Sequence, residues 1–138
     1  MFALAGKHHK SGNFEEAARL ASSVLAQRTE TLGRTHPDTL QCMFSLAGTY
    51  HKLRRFDEAG QLAAEVLRAR TTMLGADHPQ TLFSMHNVVV TRWAAERMEG
   101  LLELSMDLVE RQTRVLGAEH AETQRSMNLL HKIIDRTG

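Results

Sequence analysis

Leu74-Gly75-Ala76-Asp77-His78-Pro79-Gln80-Thr81-Leu82 decides how the rest of the chain is read. The same wording, Leu-Gly-x-x-His-Pro-x-Thr-Leu, stands at Leu32-Gly33-Arg34-Thr35-His36-Pro37-Asp38-Thr39-Leu40, and a weaker copy stands at Leu116-Gly117-Ala118-Glu119-His120-Ala121-Glu122-Thr123-Gln124. The three glycines are 42 residues apart. Self-similarity at a fixed period of about 20 to 50 residues marks an array whose units bury their apolar faces against their neighbours. Superposing the chain on itself at that offset aligns Leu4, Leu46, Val88 and Leu130, then Phe14, Phe56 and Met98, then Leu20, Leu62 and Leu104. Met43, Met85 and Met127 align too, which marks a shared packing position.

Within a unit the apolar spacing is helical. Leu40, Met43, Leu46, Ala47, Tyr50 and Leu53 form one stripe, and Phe56, Ala59, Leu62, Ala63, Val66 and Leu67 begin the next. Gly33, Gly75 and Gly117 fall where a helix ends in a left-handed residue, and Pro37 and Pro79 fall where the following helix opens. Acidic Glu15, Glu16, Asp57, Glu58 and Glu99 sit at the starts of the second helices, with Arg28, Arg70, Arg111 and Arg114 toward their ends, in keeping with the helix dipole. The pattern predicts first helices at about 2–10, 37–53, 79–95 and 121–136, and second helices at about 13–32, 55–74 and 97–116. That makes about seven helices and no sheet in a single domain of residues 1–138. It divides into a half-repeat 1–33, full repeats 34–75 and 76–117, and a C-terminal half-repeat or capping helix 118–138. By this phase both ends fall inside a repeat, as in a piece of a longer array or one closed by half-repeats, and Ile133 and Ile134 are expected to be partly exposed.

Composition narrows the partners. Seventeen Lys and Arg against sixteen Asp and Glu leave a formal charge of +1, so no bulk field draws nucleic acid or an anionic membrane. A hydrophobic content of 42% is ample for a core. The single cysteine, Cys42, cannot form an internal disulfide and fits a reducing, cytoplasmic setting. The opening residues lack the charged-then-apolar pattern of a secretory signal, and the longest aliphatic run, Val88-Val89-Val90, is far short of the ~20 residues of a membrane span.

Chemistry finds little purchase. His36, His78 and His120 recur at the repeat spacing just before a helix, so they are expected to hydrogen-bond the turn rather than to bind metal. His8 and His9 are adjacent and point different ways around a helix, and His131 is expected to be partly buried or to lie on a capping helix. Neither a phosphate-binding loop nor a dinucleotide fingerprint is present, and no spacing supports a catalytic triad. The reading is therefore of a non-enzyme without cofactor or metal.

The repeated Leu-Gly-x-x-His-Pro-x-Thr-Leu, followed by Leu46-Ala47-x-x-Tyr50 and Arg55-Phe56-Asp57-Glu58-Ala59, resembles the 42-residue tetratricopeptide repeats of kinesin light chains. Thr81-Leu82-Phe83-Ser84-Met85 is also similar to repeats in the C-terminal arrays of fungal and bacterial NB-ARC or NACHT-type NTPase sensors. The resemblance implies an all-α, tetratricopeptide-like right-handed superhelical array of antiparallel helix pairs, in which the first helix of each pair lines a concave groove. Carried over by repeat phase, that groove takes Phe2, Gly6, His9 and Lys10 from the first such helix, and Gln41, Phe44, Ser45, Gly48, His51 and Lys52 from the second. Phe83, His86, Asn87, Val90 and Trp93 come from the third, and Arg125, Asn128, Lys132 and Arg136 from the fourth.

Two departures stand out. Repeat 76–117 has Arg92 at the Tyr50 position and Leu101 at the small position of Ala17 and Ala59, where two helices approach closely. The kinesin light chain pattern has two asparagines before its Leu-Ala pair, and here only Asn87 and Asn128 stand, with Phe44, Ser45, His86 and Leu129 elsewhere. The implied groove is aromatic and basic: Phe44, Phe83 and Trp93 offer an apolar anchor site, and Lys52, Arg125 and Lys132 favour carboxylates. Trp93 belongs either to that groove or to the core. The implied function is a scaffold that holds a peptide or partner domain bearing an apolar anchor near acidic residues. The alternatives are a structural, sensing or autoinhibitory arm of a larger NTPase switch, or a self-association module.

Overall fold

The computed structural model describes residues 2–137, with side chains described from Asn13 to Thr137. The chain forms α1 (Phe2–Leu32), α2 (Pro37–Lys52), α3 (Phe56–Leu74), α4 (Pro79–Ala94), α5 (Leu101–Val115) and α6 (Ala121–Thr137). No strand occurs among the described residues. Six helices stand among them where the pattern gives about seven, because the stretches expected at 2–10 and 13–32 run together as α1. Ser11-Gly12-Asn13 contains no proline, so nothing there removes a backbone donor from the helical ladder. The side chains of Phe2, Gly6, His8, His9 and Lys10 lie outside the described residues.

The repeated motif is a stop, a start and a tie. Gly33, Gly75 and Gly117 have φ of 93°, 98° and 98°, a left-handed conformation that ends the preceding helix with little steric cost. His36 and His78 are then the N-cap residues of α2 and α4: their Nδ1 atoms accept from the amides of Asp38 and Gln80 at 3.1 Å, with proline next in sequence. His120 Nδ1 accepts from Glu122 N–H in the same way, also at 3.1 Å. The ring nitrogen thus acts as the side-chain acceptor that a helix N-terminus needs. The threonine reaches back: Thr81 Oγ1 donates to the Arg70 carbonyl at 3.2 Å, and Thr39 Oγ1 to the Arg28 carbonyl at 3.5 Å.

The turns between α2 and α3 and between α4 and α5 also share one design. Arg54 N–H bonds the His51 carbonyl and Arg55 N–H the Tyr50 carbonyl; Glu96 N–H bonds the Trp93 carbonyl and Arg97 N–H the Arg92 carbonyl. This is the paired-bond helix ending that needs a left-handed residue just past the cap. Arg54 (φ 62°) and Glu96 (φ 59°) supply it without being glycine. After the second turn α5 starts only at Leu101, later than the expected 97, because Gly100 takes φ 70° as its N-cap residue. Arg92 donates to the Glu99 carbonyl across this turn.

The chain forms two compact units, residues 1–62 and 63–138. In the first, α1 packs against α2 and buries Ala18, Leu25, Leu40, Met43, Leu46 and Ala47. In the second, α5 packs against both α4 and α6, and Met85, Val89, Leu101, Leu108 and Ile133 form the core, flanked by Leu67, Trp93, Met98, Leu102, Leu104 and Leu129. The aligned leucines are not the deepest positions: Leu62 and Leu104 are half-buried and Leu20 is exposed, while Val66 and Leu108, four residues further on, are fully enclosed. Ile133 is likewise buried, contrary to the expectation of partial exposure, and Ile134 is exposed. His131, on α6, is exposed. Arg70 also departs from a solvated helix end, since it is buried with Nη1 donating to Ser84 Oγ at 2.7 Å.

Candidate functional site

In the second unit the sequence-derived candidates sit on α4 and α6, and two contacts join the helices there. His86 Nδ1 lies 2.8 Å from Ser126 Oγ, and the Arg136 guanidinium sits 5.3 Å from the centre of the Trp93 ring. Phe83, His86, Asn87 and Val90 follow one another at helical spacing along α4, and Arg125, Asn128, Lys132 and Arg136 do so along α6. The first line is graded in burial: Phe83 is 39% exposed, whereas His86, Asn87 and Val90 are half-buried. The second line is exposed throughout. The result is an aromatic edge beside a basic stripe.

Electrostatics follow from that layout. Burial first, and the Arg125 guanidinium second, hold the His86 imidazole below its ordinary pKa, so the ring favours the neutral form that pairs with Ser126. Trp93 packs against the core of the second unit. It is half-buried against the unit's core while Arg136 covers a ring face, and Arg136 is itself tied to Glu96 at 2.9 Å.

In the first unit, Ser45 is exposed and Phe44 half-buried on α2. His51 stacks edge-on to Phe56 with ring centres 5.2 Å apart, and burial, then Arg54, lowers its pKa. Lys52 Nζ lies 5.3 Å above the Phe14 ring of α1. The last two candidates are thus engaged inside their own unit.

Sequence reasoning did not anticipate three features. A cleft of about 290 Å³ in the first unit is lined by Glu15, Ala18, Arg19, Ser22, Tyr50 and Arg55. There the Arg55 guanidinium lies 4.6 Å from the Tyr50 ring centre and pairs with Glu58 through two bonds of 2.8 and 2.7 Å. Second, Asp77 in the repeated loop pairs with Arg111 and Arg114 of α5, each at 2.9 Å. Those guanidiniums, Arg114 foremost, hold the Asp77 carboxyl below its ordinary pKa. The third is the Arg70–Ser84 bond. The signal for the Asp77 clip lay in the i, i+3 spacing of Arg111 and Arg114, but nothing local pointed them at a loop so far back in the chain.

No group of three potential metal-ligating side chains converges among the described residues, and no helix there is long and apolar enough to cross a membrane. Repeated helix pairs punctuated by capped turns define a helical-repeat protein. The tetratricopeptide repeat profile matches residues 2–72, and the chain belongs to that family. Such repeats generally mediate protein–protein interaction and are typically non-catalytic scaffolds. Two solved structures of Podosopora anserina chains, named for kinesin light chain-like, nearly identical TPR-like repeats, share the fold. The first, a single-substitution variant, superposes with a TM-score of 0.80 at 27% identity over 98% of this chain. The second gives 0.70 at 25% identity over 97% of this chain and 73% of its own. This chain spans 64% of the length of the first. No curated protein matches the sequence significantly.

Proposed function

We propose that the α4–α6 face of the second unit is a non-enzymatic docking surface for a peptide, or a segment of a partner domain, that carries an apolar side chain next to acidic residues. The observation that supports this most directly is Phe83, an aromatic ring 39% exposed on α4, the helix whose His86 and Trp93 meet Ser126 and Arg136 of α6, on which Arg125, Asn128 and Lys132 are exposed. An exposed phenyl ring offers contact area at low entropic cost, and guanidinium and ammonium groups nearby reward a carboxylate and penalise a basic segment. Asn87 and Asn128 supply amides for a peptide backbone. Phe44 and Ser45 on α2 form a second, smaller candidate patch in the first unit.

The test uses a peptide library in which one large apolar residue is placed at varied distances from Asp or Glu, with rate constants measured for the best binder. Phe83→Ala is expected to cost on the order of 2 kcal/mol, seen mainly as faster dissociation. Lys132→Glu is expected to slow association instead, and the effect should fade as salt shortens a screening length of about 8 Å at physiological ionic strength. Trp93→Ala should weaken binding and also loosen the fold, since its ring packs on the core. If Phe83→Ala and Lys132→Glu both bind as the parent does while remaining folded, the α4–α6 face is not the site, and a structural or sensing arm becomes the better reading.

A further inference from the structure

The cleft of the first unit owes its character to particular side chains and not to the repeat as such. Glu15, Ala18, Arg19 and Ser22 follow one another at helical spacing along one side of α1, and Tyr50 and Arg55 supply the rest of the lining. Two repeat periods further on, the same positions hold Glu99, Leu102, Glu103, Met106 and Ile134. The second unit therefore has bulky aliphatic side chains where Ala18, Ser22 and Tyr50 stand, and an acid where Arg19 stands. A volume of about 290 Å³ lies at the lower edge of the range for ligand pockets, which suits a single side chain better than a large ligand.

The lining is rich in donors that are only partly engaged. The Ser22 and Tyr50 hydroxyls are 3.4 Å apart, well beyond the ~2.7–2.8 Å of a strong O–H···O bond, so neither holds the other firmly. Arg55 binds Glu58 through Nε and Nη2 at 2.8 and 2.7 Å, while its Nη1 turns toward Glu15 at 3.7 Å, too far to hydrogen-bond. Arg19 reaches Glu16 through Nη2, one of the several donor positions of a guanidinium. Charge then selects the guest. Each guanidinium already has a carboxylate, so the cleft offers more unused donors than unused positive charge. A phosphoryl dianion would feel roughly twice the repulsion from Glu15 that a singly charged carboxylate feels, for the same donors. The Glu15 side chain is 59% exposed and can swing into water as a guest enters.

We propose that this cleft receives a glutamate or aspartate side chain of a partner peptide, held by Arg19, Arg55 Nη1 and the Ser22 and Tyr50 hydroxyls, with Glu15 as the intramolecular competitor that the guest displaces. The cleft shares no residue with the α4–α6 face, so the two readings stand or fall separately.

Titration of the isotope-labelled chain, followed through its backbone amide and arginine Nε–H resonances, tests this. The probes are a capped alanine peptide with one central glutamate, its glutamine counterpart, and free glutarate. The glutamate peptide is expected to give saturable shifts confined to residues 15–22 and 50–55, and the glutamine peptide none. Glutarate that binds no better than the glutamate peptide supports a peptide-borne guest, whereas glutarate binding without peptide binding overturns it. Glu15→Gln, which removes the competitor's charge, is expected to tighten binding about two- to fivefold. Ser22→Met, which puts into the cleft the side chain that the second unit carries at this register, is expected to abolish binding with helical circular dichroism unchanged. Equal shifts from the glutamine peptide, binding that survives Ser22→Met, or no gain in Glu15→Gln overturns the proposal.

Discussion

Arg54 and Glu96 carry strain that glycine at the same register would not. A left-handed conformation costs an L-residue about 1–2 kcal/mol, partly offset by the greater unfolded-state freedom of glycine. Glu96→Gly is therefore expected to stabilise the chain by up to about 1 kcal/mol in urea titration, although it also removes the ion pair with Arg136, a surface contact of small value. Gly75→Ala is the converse: a Cβ there meets nothing within 4 Å, so the cost is that of the backbone alone, about 1–2 kcal/mol. Histidine behaviour divides along the same lines. Because burial and Arg125 lower the folded-state pKa of His86, the unfolded chain binds more protons once pH drops below the ordinary value of about 6.5. The neutral-state preference is then met in full above that pH, and stability is lost as pH falls toward the lowered value. His86→Asn, whose amide can still reach Ser126, should flatten that part of the stability–pH curve relative to the parent. Parallel curves for parent and variant from about pH 5 to 8 would show that His86 does not contribute. The capping role of His36, His78 and His120 was legible because recurrence plus position before a helix leaves a side-chain acceptor little else to do. The burial of Arg70 was not, since an arginine near a helix end reads as solvated until the partner Ser84 is placed.

Helices follow the same logic one level up. Their existence was legible from the 42-residue period, and α2, α4 and α6 begin, and α3 ends, where expected because histidine, proline or glycine marks those points. Where punctuation is weak the sequence misleads: helices expected at 2–10 and 13–32 run together as α1, and Met98-Glu99-Gly100 looks helical but α5 waits for Leu101. Packing position was also only half legible, as periodicity identifies a face but not which residue on it lies deepest. Leu108→Ala should cost about 2–5 kcal/mol as a fully buried deletion, and Leu62→Ala clearly less because Leu62 is half-buried. Equal losses in chemical denaturation would contradict that ranking. Ala59, 0% exposed, is expected to resist enlargement, with Ala59→Leu costing roughly 1–3 kcal/mol, even though Leu101 fills the equivalent position on α5.

At the scale of the molecule, the candidate site was legible as a set of residue types on particular helices, and the structure adds which of them meet. His86 with Ser126 and Trp93 with Arg136 required side-chain positions across α4 and α6, 40 and 43 residues apart, that no local pattern encodes. Division into two compact units bears on stability as well, because in repeat proteins energy is distributed over units and their nearest neighbours. Ile133 is the α6 residue fully enclosed in the core of the second unit, alongside Leu101 and Leu108 of α5 and Met85 and Val89 of α4. Ile133→Ala removes the buried side chain that α6 contributes to that cluster, leaving a cavity at an expected cost of about 2–5 kcal/mol. The loss should be local: amide exchange in α4, α5 and α6 is expected to accelerate while α2 and the part of α1 packed on it keep their protection. Native-state hydrogen exchange of parent and variant reads this directly. Acceleration spread evenly over α1 to α6 would mean that the chain opens as a single cooperative body and that the two units have no separate stability.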